Sequence, residues 1–138
     1  MTPIFFALEP QRDLPPSREV AKELGFDCPM LSAPSDEKLI IGMMKKMRIV
    51  VSMRLHALIF ASSVGTPLVA VSYDPKVTGF MRYIGQKHCV YFEDVTAENL
   101  CALIGGALHD TDAYSVESLR ALAAQNEKIA KELLEEAE

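Results

Sequence analysis

Long apolar runs are missing from this 138-residue chain, and none approaches the ~18 uninterrupted apolar residues that a membrane-crossing helix needs. Its start, "MTPIFFALEP", puts no basic segment ahead of an apolar one, so no secretory leader is read there. Cysteine is scarce and odd in number: Cys28, Cys89 and Cys101 are scattered, with no C-x-x-C pair. That argues against a disulfide framework and against a zinc site, and for a reducing, cytoplasmic setting. An excess of basic residues is also lacking. Fourteen Lys and Arg stand against 19 Asp and Glu, a net charge of −5, which disfavours a nucleic-acid partner. Any anionic ligand must therefore be held by local cations and helix ends. The chain has no G-x-G-x-x-G, no Walker A loop, no G-x-S-x-G elbow and no H-E-x-x-H.

What is present is ordinary globular material, 49% hydrophobic and 24% charged, enough for one domain with a real core. Ile4–Leu8 reads as a buried strand, followed by the loop "EPQRDLPP" at residues 9–16. Ser17 reads as the N-cap of a helix that stops at Gly25. "CPML" at 28–31 is a strand candidate. Ser35 is the expected cap of a second helix, with Asp36 and Glu37 in its first turn. Leu39, Met43 and Met47 share one stripe of it, with Ile40 and Met44 alongside, a pattern that reads as core filling. Ile49–Met53 and Pro67–Val71 are apolar runs expected to be central strands. Between them Leu55, Leu58, Ile59 and Ser62 set a helical pattern ending near Gly65. Asp74-Pro75 opens a short helix to Ile84. "VYF" at 90–92 is the last strand, Thr96 caps a helix faced by Leu100, Leu103, Ile104, Ala107 and Leu108, and a charged helix runs from Ser115 to Glu136. The alternation points to an α/β fold: a three-layer, Rossmann-like domain with a mainly parallel sheet.

In such sheets ligands sit beyond the carboxyl ends of strands. "SMRLH" at 52–56 and "SYDPK" at 72–76 occupy two such ends. Arg54 offers a planar fork for phosphate or carboxylate, His56 titrates near neutrality, and Lys76 could converge on the same place. Together they describe an anion site with an acid/base group. The same residues also admit plainer roles: Arg54 could pair with Asp74, His56 could be structural, and Lys76 could be solvated. Spacing alone leaves these open. His88-Cys89 reads as structural, and His109 beside Asp110 reads as a partner of the helix dipole.

Residues 52–80, "SMRLHALIFASSVGTPLVAVSYDPKVTGF", closely resemble the C-terminal motif block of the polysaccharide pyruvyl transferase family, the cell-surface-polymer type. The carrying motifs are Arg-Leu-His-Ala at 54–57, Gly-x-Pro at 65–67 and Tyr-Asp-Pro-Lys-Val at 73–77. The resemblance implies two Rossmann-like halves facing across a cleft, similar to GT-B glycosyltransferases. Residues 1–138 would be the single C-terminal half, lacking the N-terminal one. It implies transfer of pyruvate from phosphoenolpyruvate to two hydroxyls of a sugar, leaving a ketal and phosphate. Arg54, Leu55, His56, Asp74 and Lys76 would bind the substrate, with His56 and Lys76 as the catalytic pair. No cofactor and no metal are implied, phosphoenolpyruvate being a co-substrate. Partners would be the sugar acceptor and the chain's own N-terminal domain. A lipid-linked acceptor, and a peripheral position at the inner membrane face, stay open. This half alone is expected not to turn over. The chemistry of the residues agrees, because phosphoenolpyruvate needs cations for two anionic groups and a general acid for C3. Asp74 is expected to order its loop. Alternatives are a GT-B glycosyltransferase or sugar-nucleotide epimerase domain and, more distantly, a flavodoxin-like binding module without catalysis.

Overall fold

Prolines, glycines and charged turns cut the apolar runs every few residues, so each strand is short. The computed structural model describes residues 1–110 and 116–135. Its strands are β1 (Phe5–Ala7), β2 (Met30–Ser32), β3 (Val50–Ser52), β4 (Leu68–Ser72) and β5 (Cys89–Tyr91). Its helices are α1 (Pro10–Glu23), α2 (Glu37–Met44), α3 (Leu55–Ser63), α4 (Pro75–Tyr83), α5 (Ala97–His109) and α6 (Val116–Glu135). Every strand pairing is parallel, which makes this an α/β protein with parallel sheets. Of the last expected helix, the two end residues Ser115 and Glu136 lie outside the described residues.

The chain forms two compact units, Met1–Ile40 and Ile41–Glu138. In the first, β1 pairs with β2 in the register Phe5–Met30, and α1 packs on both strands. Buried Cys28 donates its thiol to the Pro3 carbonyl at 3.2 Å. In the second, the strand order is β3-β4-β5. The expected sheet is thus present as two parallel sheets, one in each unit.

Four local expectations are corrected. First, α1 begins at Pro10 and runs through Pro15 and Pro16, where a loop was expected. Pro10 takes the first helical position, whose N–H has no partner in any case. The Asp13 carboxylate accepts the Glu9 N–H at 2.8 Å. The internal prolines remove the i+4 donors of the Gln11 and Arg12 carbonyls, a loss tolerable where both residues are exposed. Second, Ser17 is therefore interior and donates its hydroxyl to the Asp13 carbonyl at 2.7 Å.

Third, the cap of α2 is Asp36, whose Oδ1 accepts the Lys38 N–H at 2.9 Å, and not Ser35. The buried stripe of α2 is Ile40 and Met44, while Leu39 is 57% exposed, a rotation of one residue from the expected face. Fourth, β3 is an edge strand of its sheet, not a central one. Its Val50 is buried and its Val51 is 41% exposed. An apolar run does not distinguish cover by a neighbouring strand from cover by a helix, and α3 packs on β3.

Strand β4 is the centre of the second unit, with Leu68, Val69 and Ala70 all buried. Leu58 and Ala61 of α3 and Val77 and Met81 of α4 are buried as well. Both helices end in the same way. After α3, Gly65 takes φ 74°, and the N–H groups of Gly65 and Thr66 donate to the Ser62 and Ala61 carbonyls. Such a left-handed residue is cheap only for glycine. The Thr66 hydroxyl then donates to the Met44 carbonyl at 2.9 Å, a buried bond tying this turn to the end of α2.

Candidate functional site

The carboxyl ends of β3 and β4 carry the same device twenty residues apart. At the first, Ser52 Oγ accepts the Arg54 N–H at 2.9 Å and donates to the Arg54 carbonyl at 3.4 Å. At the second, Ser72 Oγ donates to the Asp74 carbonyl at 3.1 Å. Each serine clasps the residue two places on, which is the N-cap of the following helix. The β3–β4 register, Ser52 opposite Ala70, therefore delivers Arg54 and Asp74 to the same sheet edge from neighbouring strands. Neither serine is singled out by sequence reading alone. The signal was the repeated Ser-x-cap spacing in "SMR" and "SYD".

The two helix starts differ in what they offer. Arg54, half-buried, is the N-cap of α3 in extended conformation, and its own side chain makes no capping hydrogen bond to that helix. The first-turn N–H groups of Leu55, His56 and Ala57 have no partner within the helix by its geometry, and the helix dipole adds positive potential there. The start of α4 is closed. Asp74 Oδ1 accepts the Lys76 N–H at 2.8 Å, and Oδ2 lies 3.5 Å from Lys76 Nζ. Chiefly the Lys76 N–H, and then its ammonium, hold the Asp74 carboxyl below the usual carboxylate range, against some desolvation.

Each residue expected at the site can be placed. Arg54 and Leu55 are half-buried at the β3–α3 junction, and His56 is exposed one residue into the helix. The His56 ring stands 6.4 Å, centroid to centroid, from Phe60 one turn on, tilted by 42°. Lys76 is exposed in the first turn of α4. The contact brought about directly is Asp74 with Lys76. Asp74 thus orders its own loop, by capping it.

His109 stands in the last turn of α5, and His88 takes a structural place. His88 is buried, its Nε2 lies 3.1 Å from Asp110 Oδ2, and Lys87 Nζ is 3.0 Å from the same oxygen. Lys87 first, then His88, hold the Asp110 carboxyl below its ordinary range. Burial pushes the neighbouring Cys89 thiol up, which makes it a poor nucleophile. Among the described residues, no group of three or more His, Cys, Asp or Glu could hold a metal ion, and no helix is long and apolar enough to cross a membrane.

The family model described as polysaccharide pyruvyl transferase matches residues 7–75, half of the chain. Arg54, Leu55, His56 and Asp74 fall inside that match, and Lys76 lies one residue beyond it. No curated protein and no solved structure matches the chain.

Proposed function

The chain belongs to the polysaccharide pyruvyl transferase family, and from that premise we propose that its β3–α3 and β4–α4 junctions hold phosphoenolpyruvate while the pyruvyl group passes to a sugar. The observation that carries this reading is the contrast between the two helix starts. A carboxylate N-cap closes α4, whereas the N-cap of α3 is an arginine, which offers positive charge where Asp74 offers negative. An anionic group of the substrate is therefore received at α3, by the first-turn N–H groups and the Arg54 guanidinium.

The reaction asks for three things, and the residues divide them. C3 of phosphoenolpyruvate gains a proton as a sugar hydroxyl adds to C2, and His56 is the donor. The C2–O bond to phosphorus-bearing oxygen then breaks, and the departing phosphate is stabilised by Arg54 and by Lys76 released from Asp74. A second hydroxyl adds to C2, closing the ketal. Of the two hydroxyl protons, one replaces the proton spent on C3 and the other leaves with phosphate. Leu55 supplies main-chain N–H and apolar contact beside the substrate. The acceptor is held from an N-terminal domain in a GT-B-like, two-domain, Rossmann-like arrangement, so this half binds donor but does not turn over alone. No cofactor takes part. The setting is cytoplasmic, at the inner membrane face where the acceptor is lipid-linked.

The test has two arms. The chain itself is titrated with phosphoenolpyruvate by phosphorus NMR, with Arg54→Ala as control. The two-domain protein is given phosphoenolpyruvate and a sugar acceptor, and released phosphate is compared with acid-labile pyruvate on the sugar. Equal amounts of the two support the reading. Binding of a nucleotide-sugar with no response to phosphoenolpyruvate would replace it with glycosyl transfer.

A further inference from the structure

Helix α6 leaves its unit as an exposed arm. Val116 at its start lies near Gly65 of the α3–β4 turn, where an added methyl would sit 3.4 Å from Val116 Cγ2. From Ala121 to Glu135 every residue is exposed, including Leu122 at 41%, Ile129 at 53% and Leu133 at 62%. Helices in proteins draw most of their stability from packing of an apolar face, and that of α6 beyond Leu119 is exposed. That face has a definite pattern. Leu119, Leu122, Asn126, Ile129 and Leu133 follow the alternating spacing of three and four that defines positions a, d, a, d, a of a heptad repeat.

The rest of the helix fits that assignment. Ala123 and Ala130 fall at e and Gln125 at g, so the flanks of the seam are nearly neutral. Arg120, Glu127, Lys128, Lys131 and Glu135 fall at the outer positions b, c and f. Ion pairs form within the helix, Lys131 with Glu127 at 2.7 Å and Lys128 with Glu132 at 3.6 Å. Glu132, at g, has its charge offset in this way. Leu134, at b, stays outside the seam.

From this pattern we infer that α6 pairs with α6 of a second copy of this chain, as a parallel, in-register, two-stranded coiled coil. Asn126 decides both the occupant and the direction. In a parallel pair each Asn126 meets its own counterpart, and the two amides bond to one another. In an antiparallel pair Asn126 would face Ile129, and its amide would be left unsatisfied. An apolar groove of another protein would strand the same amide. The identical helix satisfies it and brings an equally neutral seam, with no like charges opposed across it.

The inference is independent of the catalytic reading and is tested on the complete chain by size-exclusion chromatography with light scattering over a range of loading concentrations. A dimer mass at the upper concentrations is expected. Ile129→Glu and Leu133→Glu are each expected to give monomers whose melting temperature for the α/β units is unchanged. Asn126→Leu is expected to keep association and admit trimers or tetramers. In a Cys101→Ser background, Ile129→Cys is expected to form an intermolecular disulfide on mild oxidation, as a parallel register requires. A wild-type monomer at every concentration, or a dimer that survives both glutamate substitutions, overturns the pairing. Failure of Ile129→Cys to cross-link in a dimeric protein overturns the parallel register.

Discussion

Asp74 grips Lys76 at both ends: one carboxylate oxygen accepts the Lys76 main-chain N–H at 2.8 Å and the other lies 3.5 Å from its ammonium. The cap starts α4, and the ion pair partly neutralises a cation at the sheet edge where the substrate is proposed to bind. Lys76 is 54% exposed in its side chain, so the pair is screened and easily exchanged for a better anion.

Separating these two roles is straightforward. Asp74→Asn keeps an oxygen that can cap the helix and removes the charge. It should leave the melting temperature nearly unchanged and tighten phosphoenolpyruvate binding by about two- to fivefold, the worth of one exposed ion pair. Asp74→Ala removes the cap as well, and its melting temperature should fall by several degrees. Calorimetry and a binding titration on both variants check this, and equal melting of the two would show that the cap is idle.

Anion binding and proton donation leave different kinetic traces in the two-domain enzyme. Arg54→Ala should raise KM for phosphoenolpyruvate as well as lower kcat, with about 2–4 kcal/mol lost from transition-state stabilisation. His56→Gln should lower kcat by about 10²–10⁴-fold with a smaller change in KM. Steady-state kinetics with a pyruvate-acceptor sugar distinguish the two. A near-normal kcat in His56→Gln would reduce that residue to positioning.

Adjacent glycines of α5 should respond in opposite senses. A methyl added at Gly106 would stand 2.9 Å from Cε1 of buried His88, whereas one added at Gly105 meets nothing within 4 Å. Gly106→Ala should therefore cost about 1–3 kcal/mol, as overpacking does. Gly105→Ala should be neutral or should stabilise by about 0.5–1 kcal/mol through helix propensity. Denaturant melts of both variants provide the comparison.

Acid should loosen the β5–α5 junction through Asp110. Its carboxyl is held low by Lys87 and His88. A carboxyl depressed in the folded state contributes stability that is fully present above the unfolded carboxylate range. That contribution is lost as pH falls through the lower folded value, so the loss begins at about pH 4 and continues below it. Asp110→Asn should remove this part of the acid dependence, leaving a flatter stability curve below pH 4. Urea midpoints at stepped pH on both proteins measure it, and parallel curves would refute the assignment.

Much was legible in the residues taken alone, wherever the cause is local. Asp74-Pro75 as cap and first turn of α4, Thr96 as the cap of α5 with Asn99 completing a capping box, and Gly25 and Gly65 closing their helices all follow from side chains acting within one turn of themselves. The Arg-Leu-His-Ala and Tyr-Asp-Pro-Lys-Val motifs likewise sit at the strand–helix junctions read for them. The tertiary structure decided what depends on neighbours distant in the chain. Ile49–Met53 reads as doubly buried, yet β3 lies at an edge, because hydrophobicity specifies burial but not the element that buries. Pro15 and Pro16 read as loop, yet α1 runs through them, because the first turn is secured by the Glu9 N–H on Asp13 and the prolines fall on an exposed stretch. Leu39 and Ile40 both read as core, yet Ile40 is buried and Leu39 is not, because a helix can turn by one residue to suit its packing at little cost. The choice of Asp110 as the partner of His88, 22 residues away, was likewise made in three dimensions, where the residue after α5 meets the residue before β5.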